Sequence, residues 1–253
     1  MTKTTWLFLN SGPNTGEYNM NMDNAILDSF DPDSSLPVFR IYGWSPPAIS
    51  LGRFQDPKKT LNISKCMEKN IPIVSRITGG GAIFHDDEIT YSLVCHPEET
   101  GYGSVKDSYR KICGFIINMY KELGLDAEFA CSSPQYTAAP AVKTDFCFSG
   151  WEEYDILIGG KKIGGNAQKR KKNVIFQHGS IPLSLDIEYI QSFFLSELSE
   201  KGTSALSLCD LIKDITSSHI IGLLKKSFIS TMNADLTEDT SILHSILSET
   251  LHT

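Results

Sequence analysis

The sequence predicts an α+β fold with mostly antiparallel or mixed sheets flanked by helices. Short extended segments rich in β-branched and aromatic residues dominate the middle of the chain, and apolar residues at helical spacing dominate it from about Leu185 onward. With 253 residues, 41% of them hydrophobic and 21% charged, the chain is long and apolar enough to bury a full core.

The first half of the chain alternates strand and helix signals. Residues 105–125 carry the clearest helix, because apolar side chains recur every three or four positions and Gly124 provides a terminal glycine. The other predicted helices are residues 21–30 and 62–70. The predicted strands are residues 6–10, 37–44, 48–51, 71–76, 89–96 and 127–130.

The second half begins with a hairpin. Residues 144–170 contain a short alternating strand, a glycine turn and a second short strand that Lys162 enters. Residues 173–182 predict a further strand, and the basic run at residues 169–172 predicts a solvated loop. Helices are then predicted for residues 187–198, 206–212, 218–232 and 237–251.

Charge and cysteine content exclude several classes of protein. The net charge of −7 disfavours binding to nucleic acid or to an anionic membrane. The six cysteines include no CxxC pair, so neither a zinc knuckle nor a disulfide framework is indicated. The chain contains no signal-peptide pattern and no run of eighteen apolar residues, so we expect a cytoplasmic protein without a membrane span.

A glycine segment, RITGGGAIFHD from Arg76 to Asp86, is the first candidate for chemistry. Glycines let a backbone approach a ligand closely and direct N–H groups at an anion, and Arg76 and His85 can add charge or a donor. The segment matches neither GxxxxGK[ST] nor GxGxxG. By itself it is more often an ordinary turn between two strands.

Cys147 and Lys162 form the second candidate. A thiolate is the reactive form of cysteine, and a neighbouring ammonium lowers a thiol pKa, so a strand pair that brings the two together would activate the sulfur. Taken one at a time, a cysteine is usually a buried apolar residue and a lysine beside a turn is usually solvated. His178 in an apolar strand is likewise more often structural than a substrate ligand.

Together, four segments resemble the lipoate-protein ligase and octanoyltransferase family, which shares its catalytic fold with biotin protein ligases. They cover residues 20–185 in the family's order: NMNMDNAIL with PVFRIYGWSPPAISLGRFQ, then RITGGGAIFHDDEITYS, GGKKIGGNAQKR and VIFQHGSIPL. The resemblance implies a single catalytic domain over residues 1–253, with residues 186–253 a helical C-terminal segment and no large accessory domain.

The resemblance also implies roles for individual residues. It makes Cys147 the nucleophile and places Lys162 beside the acyl carbonyl, with backbone N–H groups near residues 162–165 as an oxyanion site. No metal ligands are expected. The residues expected to bind the acyl group or the carrier arm are Arg76, Gly79, Gly80, Gly81, Ala82, Ile83, Phe84, His85, Gly164, Gly165, Ala167 and His178.

Two mechanisms share this scaffold. An octanoyltransferase needs no cofactor: it takes octanoyl from acyl-carrier protein onto its cysteine and passes it to a lysine of a lipoyl domain, in the glycine cleavage H protein or a 2-oxoacid dehydrogenase E2. A lipoate-protein ligase instead uses ATP and Mg²⁺, and this chain would then need a separate accessory chain. A non-catalytic relative that only binds lipoyl domains or acyl chains is the third alternative.

Spacing favours the transferase. Cys147 precedes Lys162 by fifteen positions, as in the cysteine-dependent octanoyltransferase branch. Gly81 and the FSGWEE sequence after Cys147 depart from that branch, and a third glycine is typical of ligases. The expected protein is a monomeric acyltransferase that uses acyl-carrier protein as donor, and the basic run at residues 169–172 offers an acidic carrier a contact.

Overall fold

A six-stranded mixed sheet organises the protein. The structure is a computed structural model that describes residues 3–101, 103–134, 153–195 and 205–239. The strands of the large sheet are, in spatial order, β10 (Gly165–Lys171), β11 (Val174–Pro182), β6 (Glu88–Cys95), β2 (Val38–Trp44), β1 (Thr4–Asn14) and β12 (Ala234–Thr237). The strand β1 pairs in parallel with both neighbours and the other pairs are antiparallel, so the α+β prediction is confirmed.

Two three-stranded sheets adjoin the large one. The first consists of β4 (Ile73–Ser75), β3 (Ala48–Leu51) and β5 (Ile83–His85), and it carries both ends of the glycine segment. The second consists of β7 (Ala127–Phe129), β8 (Ile156–Ile158) and β9 (Lys161–Lys162), so the predicted hairpin that leads to Lys162 is confirmed. The six described helices are α1 (Gly16–Ser29), α2 (Pro57–Thr60), α3 (Ile63–Glu68), α4 (Val105–Glu122), α5 (Ile187–Gln191) and α6 (Ser217–Met232).

Helices cover the large sheet on both faces. On one face α4 and α6 bury a cluster that includes Trp6, Phe39, Phe115 and Phe228, and on the other α1 packs Met22, Ile26 and Leu27. Polar residues define the helix ends: Thr15 caps α1, and Ser104 and Asp107 form a capping box at the start of α4. No helix within the described ranges is long and apolar enough to cross a membrane.

Three sequence predictions about elements were wrong. The predicted loop at residues 169–172 lies largely in β10, whose backbone pairs with β11. The helix predicted for residues 187–198 ends at Gln191, because the next turn bonds to another loop: the Asn62 N–H donates to the Phe193 carbonyl. For residues 206–212 there is only a 3₁₀ turn, Leu208–Asp210.

The C-terminal segment ends in a strand within the described part. After α6, Asn233 adopts a left-handed conformation with φ +52°, and the chain turns into β12 beside β1. Most of the helix predicted for residues 237–251 lies outside the described residues.

Candidate active site

Lys162 occupies a buried position on the short strand β9. Gly159 and Gly160 form the turn between β8 and β9 with positive φ angles of 58° and 74°. The pairing of Leu157 with Lys162 then turns the lysine into the protein, where it is 3% exposed. A solvated turn lysine, the commoner outcome for the residue type, is therefore excluded for Lys162, whereas Lys161 is exposed.

A carboxylate accompanies the buried ammonium. The Nζ atom of Lys162 lies 2.7 Å from Oδ2 of Asp155, and both side chains are almost fully buried. A buried ammonium is costly unless an anion and hydrogen bonds compensate it, so Asp155 is what stabilises the charged lysine at this depth. A cavity of about 220 Å³ borders Asp155, and its described lining consists of Val105, Lys106, Tyr109, Glu153, Tyr154, Asp155 and Asn166.

Cys147, the predicted nucleophile, lies outside the described residues, so its distance from Lys162 stays a prediction. Among the described cysteines, burial raises the thiol pKa of Cys66, Cys95 and Cys113, the last to about 12. A raised pKa keeps these three sulfurs protonated and therefore unreactive at neutral pH.

The backbone after Lys162 packs tightly against β11. Gly164 has a φ of +85°, and a Cβ there would lie 2.1 Å from the Ser180 carbonyl oxygen, so only glycine fits. The Ile163 N–H already donates to the Ile156 carbonyl at 3.0 Å. Of the predicted oxyanion donors, Gly164 and Gly165 are therefore the ones to consider.

Arg76 shapes the glycine segment from inside. Its guanidinium donates to the carbonyls of Gly79 at 2.9 Å and Gly81 at 2.6 Å, and also to the Ser50 carbonyl at 2.9 Å. At 4% exposure it is buried beneath the loop. The side chain thus fixes the loop conformation through three carbonyls, a more specific role than the predicted lining of a channel.

The apolar residues that follow the three glycines belong to the hydrophobic core. The structure places Ala82, Ile83 and Phe84 in an apolar cluster with Leu51 and Leu61, and the ring of Phe84 stacks on Phe193 with centroids 5.4 Å apart. These side chains anchor the glycine segment to the sheet of β3, β4 and β5.

His85 belongs to a buried polar cluster that sequence analysis did not find. Its ring stacks on Trp44 with centroids 3.8 Å apart, its Nδ1 lies 2.9 Å from Oε1 of Glu88, and its Nε2 lies 2.7 Å from Oγ of Ser50. Burial alone would raise the pKa of Glu88, but His85 and the Ser180 hydroxyl outweigh it, and the net pKa is lowered. Glu88 is therefore a buried carboxylate that orients the imidazole.

His178 joins a second buried cluster. Its Nε2 lies 2.7 Å from Oγ1 of Thr78, next to the three glycines, and its Nδ1 lies 3.7 Å from Oδ2 of Asp23. Burial lowers the pKa of His178, so the ring is neutral at pH 7. Oδ1 of Asp23 in turn accepts a hydrogen bond at 2.7 Å from the guanidinium of Arg40, whose side chain is fully buried.

The two predicted halves of the site meet at β11. Ser180 donates through its hydroxyl to Oε2 of Glu88 at 2.6 Å, which links it to His85, while its backbone contacts Gly164. Two residues before Ser180 on the same strand, His178 pairs with Ala167 and its ring bonds to Thr78. The glycine segment and the stretch after Lys162 are thus held against the same strand.

Sequence analysis missed Asp23, Arg40, Thr78, Glu88 and Asp155. One signal was available: Arg40 stands between Phe39 and Ile41 in an otherwise apolar strand, and a buried guanidinium needs a carboxylate. The neighbouring acidic residues Asp86 and Asp87 are exposed whereas Glu88 is buried, and no cluster of three metal-ligating side chains occurs in the described ranges.

Comparison with known proteins finds relatives in a family of lipoylation enzymes. Residues 15–228 match the family model described as the lipoyl protein ligase A/B catalytic domain. The chain is 34% identical over 249 residues to the octanoyltransferase LipM of Lysinibacillus sphaericus, with 92% of this chain and 89% of that protein covered. It is 38% identical over 200 residues to the octanoyltransferase LipM of Bacillus subtilis, with 77% and 71% covered.

Solved structures share the fold at lower identity. A lipoate-protein ligase A bound with ATP superposes with a TM-score of 0.78 at 22% identity, covering 98% of this chain and 94% of that chain. A bipartite lipoate protein ligase from Thermoplasma acidophilum gives 0.73 at 22% identity, covering 98% and 91%. Identities this low establish the fold alone.

Proposed function

The chain belongs to the lipoyl protein ligase A/B catalytic-domain family, and we propose that it is an octanoyltransferase in protein lipoylation that works through a Cys147 thioester. The donor is octanoyl-acyl-carrier protein, and the acceptor is a lysine of a lipoyl domain, in the glycine cleavage H protein or a 2-oxoacid dehydrogenase E2. The observation that carries the proposal is the buried ammonium of Lys162, paired with Asp155 and held against the strand that meets the glycine segment.

The first half-reaction forms an acyl-enzyme. The Cys147 thiolate attacks the thioester carbonyl, the carbonyl oxygen becomes an oxyanion, and the carrier thiolate leaves and takes up a proton. A buried cation stabilises a developing oxyanion far more than an exposed one does, because little water screens it. Lys162 is assigned this role, with Gly164 or Gly165 N–H groups as neighbouring donors.

The second half-reaction forms the amide. A neutral lysine amine of the lipoyl domain attacks the Cys147 thioester, a C–N bond forms, the C–S bond breaks, and the amine's surplus proton returns the cysteine to its thiol. Exchange between thioesters is nearly isoenergetic and amide formation from a thioester is downhill. The reaction therefore needs no ATP.

Gly81 favours one second candidate, an ATP-dependent lipoate-protein ligase. This residue is the third of three successive glycines, a sequence typical of ligases in this family, and its carbonyl accepts from Arg76 at 2.6 Å. In that mechanism lipoate is first activated as an acyl-adenylate, and Cys147 has no covalent role.

Intact-mass measurement separates the two. The protein is incubated with octanoyl-acyl-carrier protein without ATP, and one octanoyl adduct is expected. Cys147→Ser should abolish both the adduct and transfer to a lipoyl domain. Cys209→Ser, which removes an exposed cysteine, is the matched control and should keep both.

Two other results would contradict the transferase. Modification of lipoyl domain by Cys147→Ser with ATP and free lipoate, and no adduct on the unaltered protein, would establish the ligase. Binding of lipoyl domain without modification under either donor regime would establish a non-catalytic relative.

A further inference from the structure

The loop after β3 lies directly on the glycine segment. The Arg53 N–H donates to the Thr78 carbonyl at 2.8 Å. A Cβ at Gly52 would lie 2.1 Å from the Gly80 carbonyl oxygen, so the two backbones touch. Residues 53 and 54 therefore stand at the edge of the glycine segment, and this position is fixed by backbone contacts.

Phe54 at this edge is unusually exposed. Its side chain is 87% accessible, the highest value among the exposed large hydrophobic residues in the described ranges. The guanidinium of Arg53 lies 5.6 Å from the centre of its ring. An exposed aromatic ring next to an arginine is typical of residues that a protein partner covers.

Strand β10 brings a second positive charge to the same edge. Ala167 pairs with His178, which bonds to Thr78, so this face of β10 looks toward the glycine segment. Lys169, two residues on, lies on the same face because side chains alternate along a strand. Arg53 and Lys169 thus flank the same residue, because the Arg53 N–H bonds to Thr78 and Thr78 bonds to His178 opposite Ala167. Burial lowers the pKa of the Lys169 ammonium, the charges of Arg53 and Lys171 lower it further, and Asp28 opposes this shift.

The arrangement concentrates positive charge on one part of an acidic protein. A chain with a net charge of −7 holds two mutually repelling cations, Arg53 and Lys169, at the edge of its candidate site where Phe54 is exposed, and the nearby carboxylate of Asp28 is paired with Lys171. An anionic surface docked there would relieve the repulsion and cover the ring.

We propose that Arg53, Phe54 and Lys169 form the docking surface for the acidic acyl-carrier protein that donates the octanoyl group. The inference rests on the proposed function and adds to it the surface that receives the donor. The donor suits this edge because the carrier presents acidic residues and an arm with an anionic phosphodiester, and both are attracted by positive charge.

Binding of the carrier is the direct test. Fluorescence anisotropy measures the affinity of labelled octanoyl-acyl-carrier protein for the Cys147→Ser protein, in which no transfer occurs. Arg53→Glu/Lys169→Glu should weaken binding at least about tenfold at low ionic strength and flatten its salt dependence. Phe54→Ala should weaken binding severalfold without changing the salt dependence. Lys121→Glu/Lys213→Glu, with the same change in net charge at exposed positions on α4 and just before α6, should bind normally.

Kinetics with two donors then separates docking from chemistry. In the protein with Cys147 intact, the Arg53→Glu/Lys169→Glu change should slow adduct formation from octanoyl-acyl-carrier protein, and the loss should be confined to that donor. Octanoyl-pantetheine, which has neither protein nor phosphate, reports the chemistry alone.

Each alternative result is decisive. Normal carrier binding by the double variant, equal losses with both donors, or a defect only in transfer to lipoyl domain would overturn the docking assignment. If the unaltered protein binds the carrier through this surface but forms no adduct with either donor, the docking surface stands and the transferase proposal fails.

Discussion

The Nζ atom of Lys162 lies 2.7 Å from Oδ2 of Asp155, and neither side chain reaches solvent appreciably. This ion pair links two adjacent elements, because Asp155 immediately precedes β8 and Lys162 ends β9. It holds the ammonium charged inside the protein and sets the direction in which it points. An acyl carbonyl that Lys162 activates must therefore lie within reach of the ammonium in this paired position.

Asp155→Asn should destabilise the protein and slow acylation. Removing one partner of a buried ion pair leaves an uncompensated charge and typically costs about 3–5 kcal/mol of unfolding free energy. Urea denaturation measures that loss. Asp235→Asn is the control, since it breaks an exposed pair with Lys3 and should cost about 1 kcal/mol or less. Equal losses in the two variants would contradict the structural role of the Asp155–Lys162 pair.

Lys162→Met should reduce the rate of octanoyl-adduct formation at least about a hundredfold, as expected for the loss of an oxyanion-stabilising group. Lys161→Met, one residue away and exposed, should form the adduct normally. Because Lys162→Met also removes the ammonium that pairs with the buried Asp155 carboxylate, the double variant with Asp155→Asn should regain stability without regaining activity. Recovery of activity in that double variant would show that Lys162 serves only folding.

Gly164→Ala should be more destabilising than its backbone angle alone explains. The left-handed conformation costs a non-glycine residue about 1–2 kcal/mol, and the new methyl group would also overlap the Ser180 carbonyl. Gly124→Ala isolates the first effect, because Gly124 has φ +76° with no atom within 4 Å of the added Cβ. In thermal or urea unfolding, Gly164→Ala should be clearly less stable than Gly124→Ala. The reverse order would contradict the close packing of β11 on the backbone at Gly164.

The pattern of apolar residues predicted the bounds of some strands and helices reliably. The strand Ala48–Leu51 has the predicted bounds, and α4 begins at the predicted Val105, because continuous burial and a capping box leave clear local signals. In contrast, α1 begins at Gly16, five residues before its predicted start. Its first turns carry the buried polar residue Asn19, which bonds to Arg40 of β2, a partner that no local pattern reveals.

The candidate site was predictable in its residue types but not in its partners. Lys162, Arg76, His85 and His178 were singled out, yet the groups that orient them are Asp155, the glycine carbonyls, Glu88 and Thr78. His178 and Thr78 are 100 positions apart and meet only through the sheet register. Such pairings depend on topology, so residue spacing cannot supply them.

His178 should make stability depend on pH just below the ordinary histidine pKa. Its folded-state pKa lies below the usual value of about 6.5, so below that pH the unfolded chain binds more protons than the folded protein. The free energy of unfolding should therefore be highest above about pH 6.5 and fall as the pH decreases toward the folded-state pKa, by at most about 1.4 kcal/mol per pH unit. The pKa values of Asp23 and Glu88 are lowered, so these groups stay ionised in the folded protein throughout this range.

Urea unfolding at pH 7.5, 6.5 and 5.5 (about one unit either side of the ordinary histidine pKa) measures this dependence. His178→Gln keeps a hydrogen-bonding side chain beside Thr78 but cannot titrate, so its unfolding free energy should change less between these values. His219→Gln, at an exposed position on α6, is the control and should retain the slope of the unaltered protein. If His178→Gln retains that slope as well, the ring is not held neutral by its burial between Thr78 and Asp23.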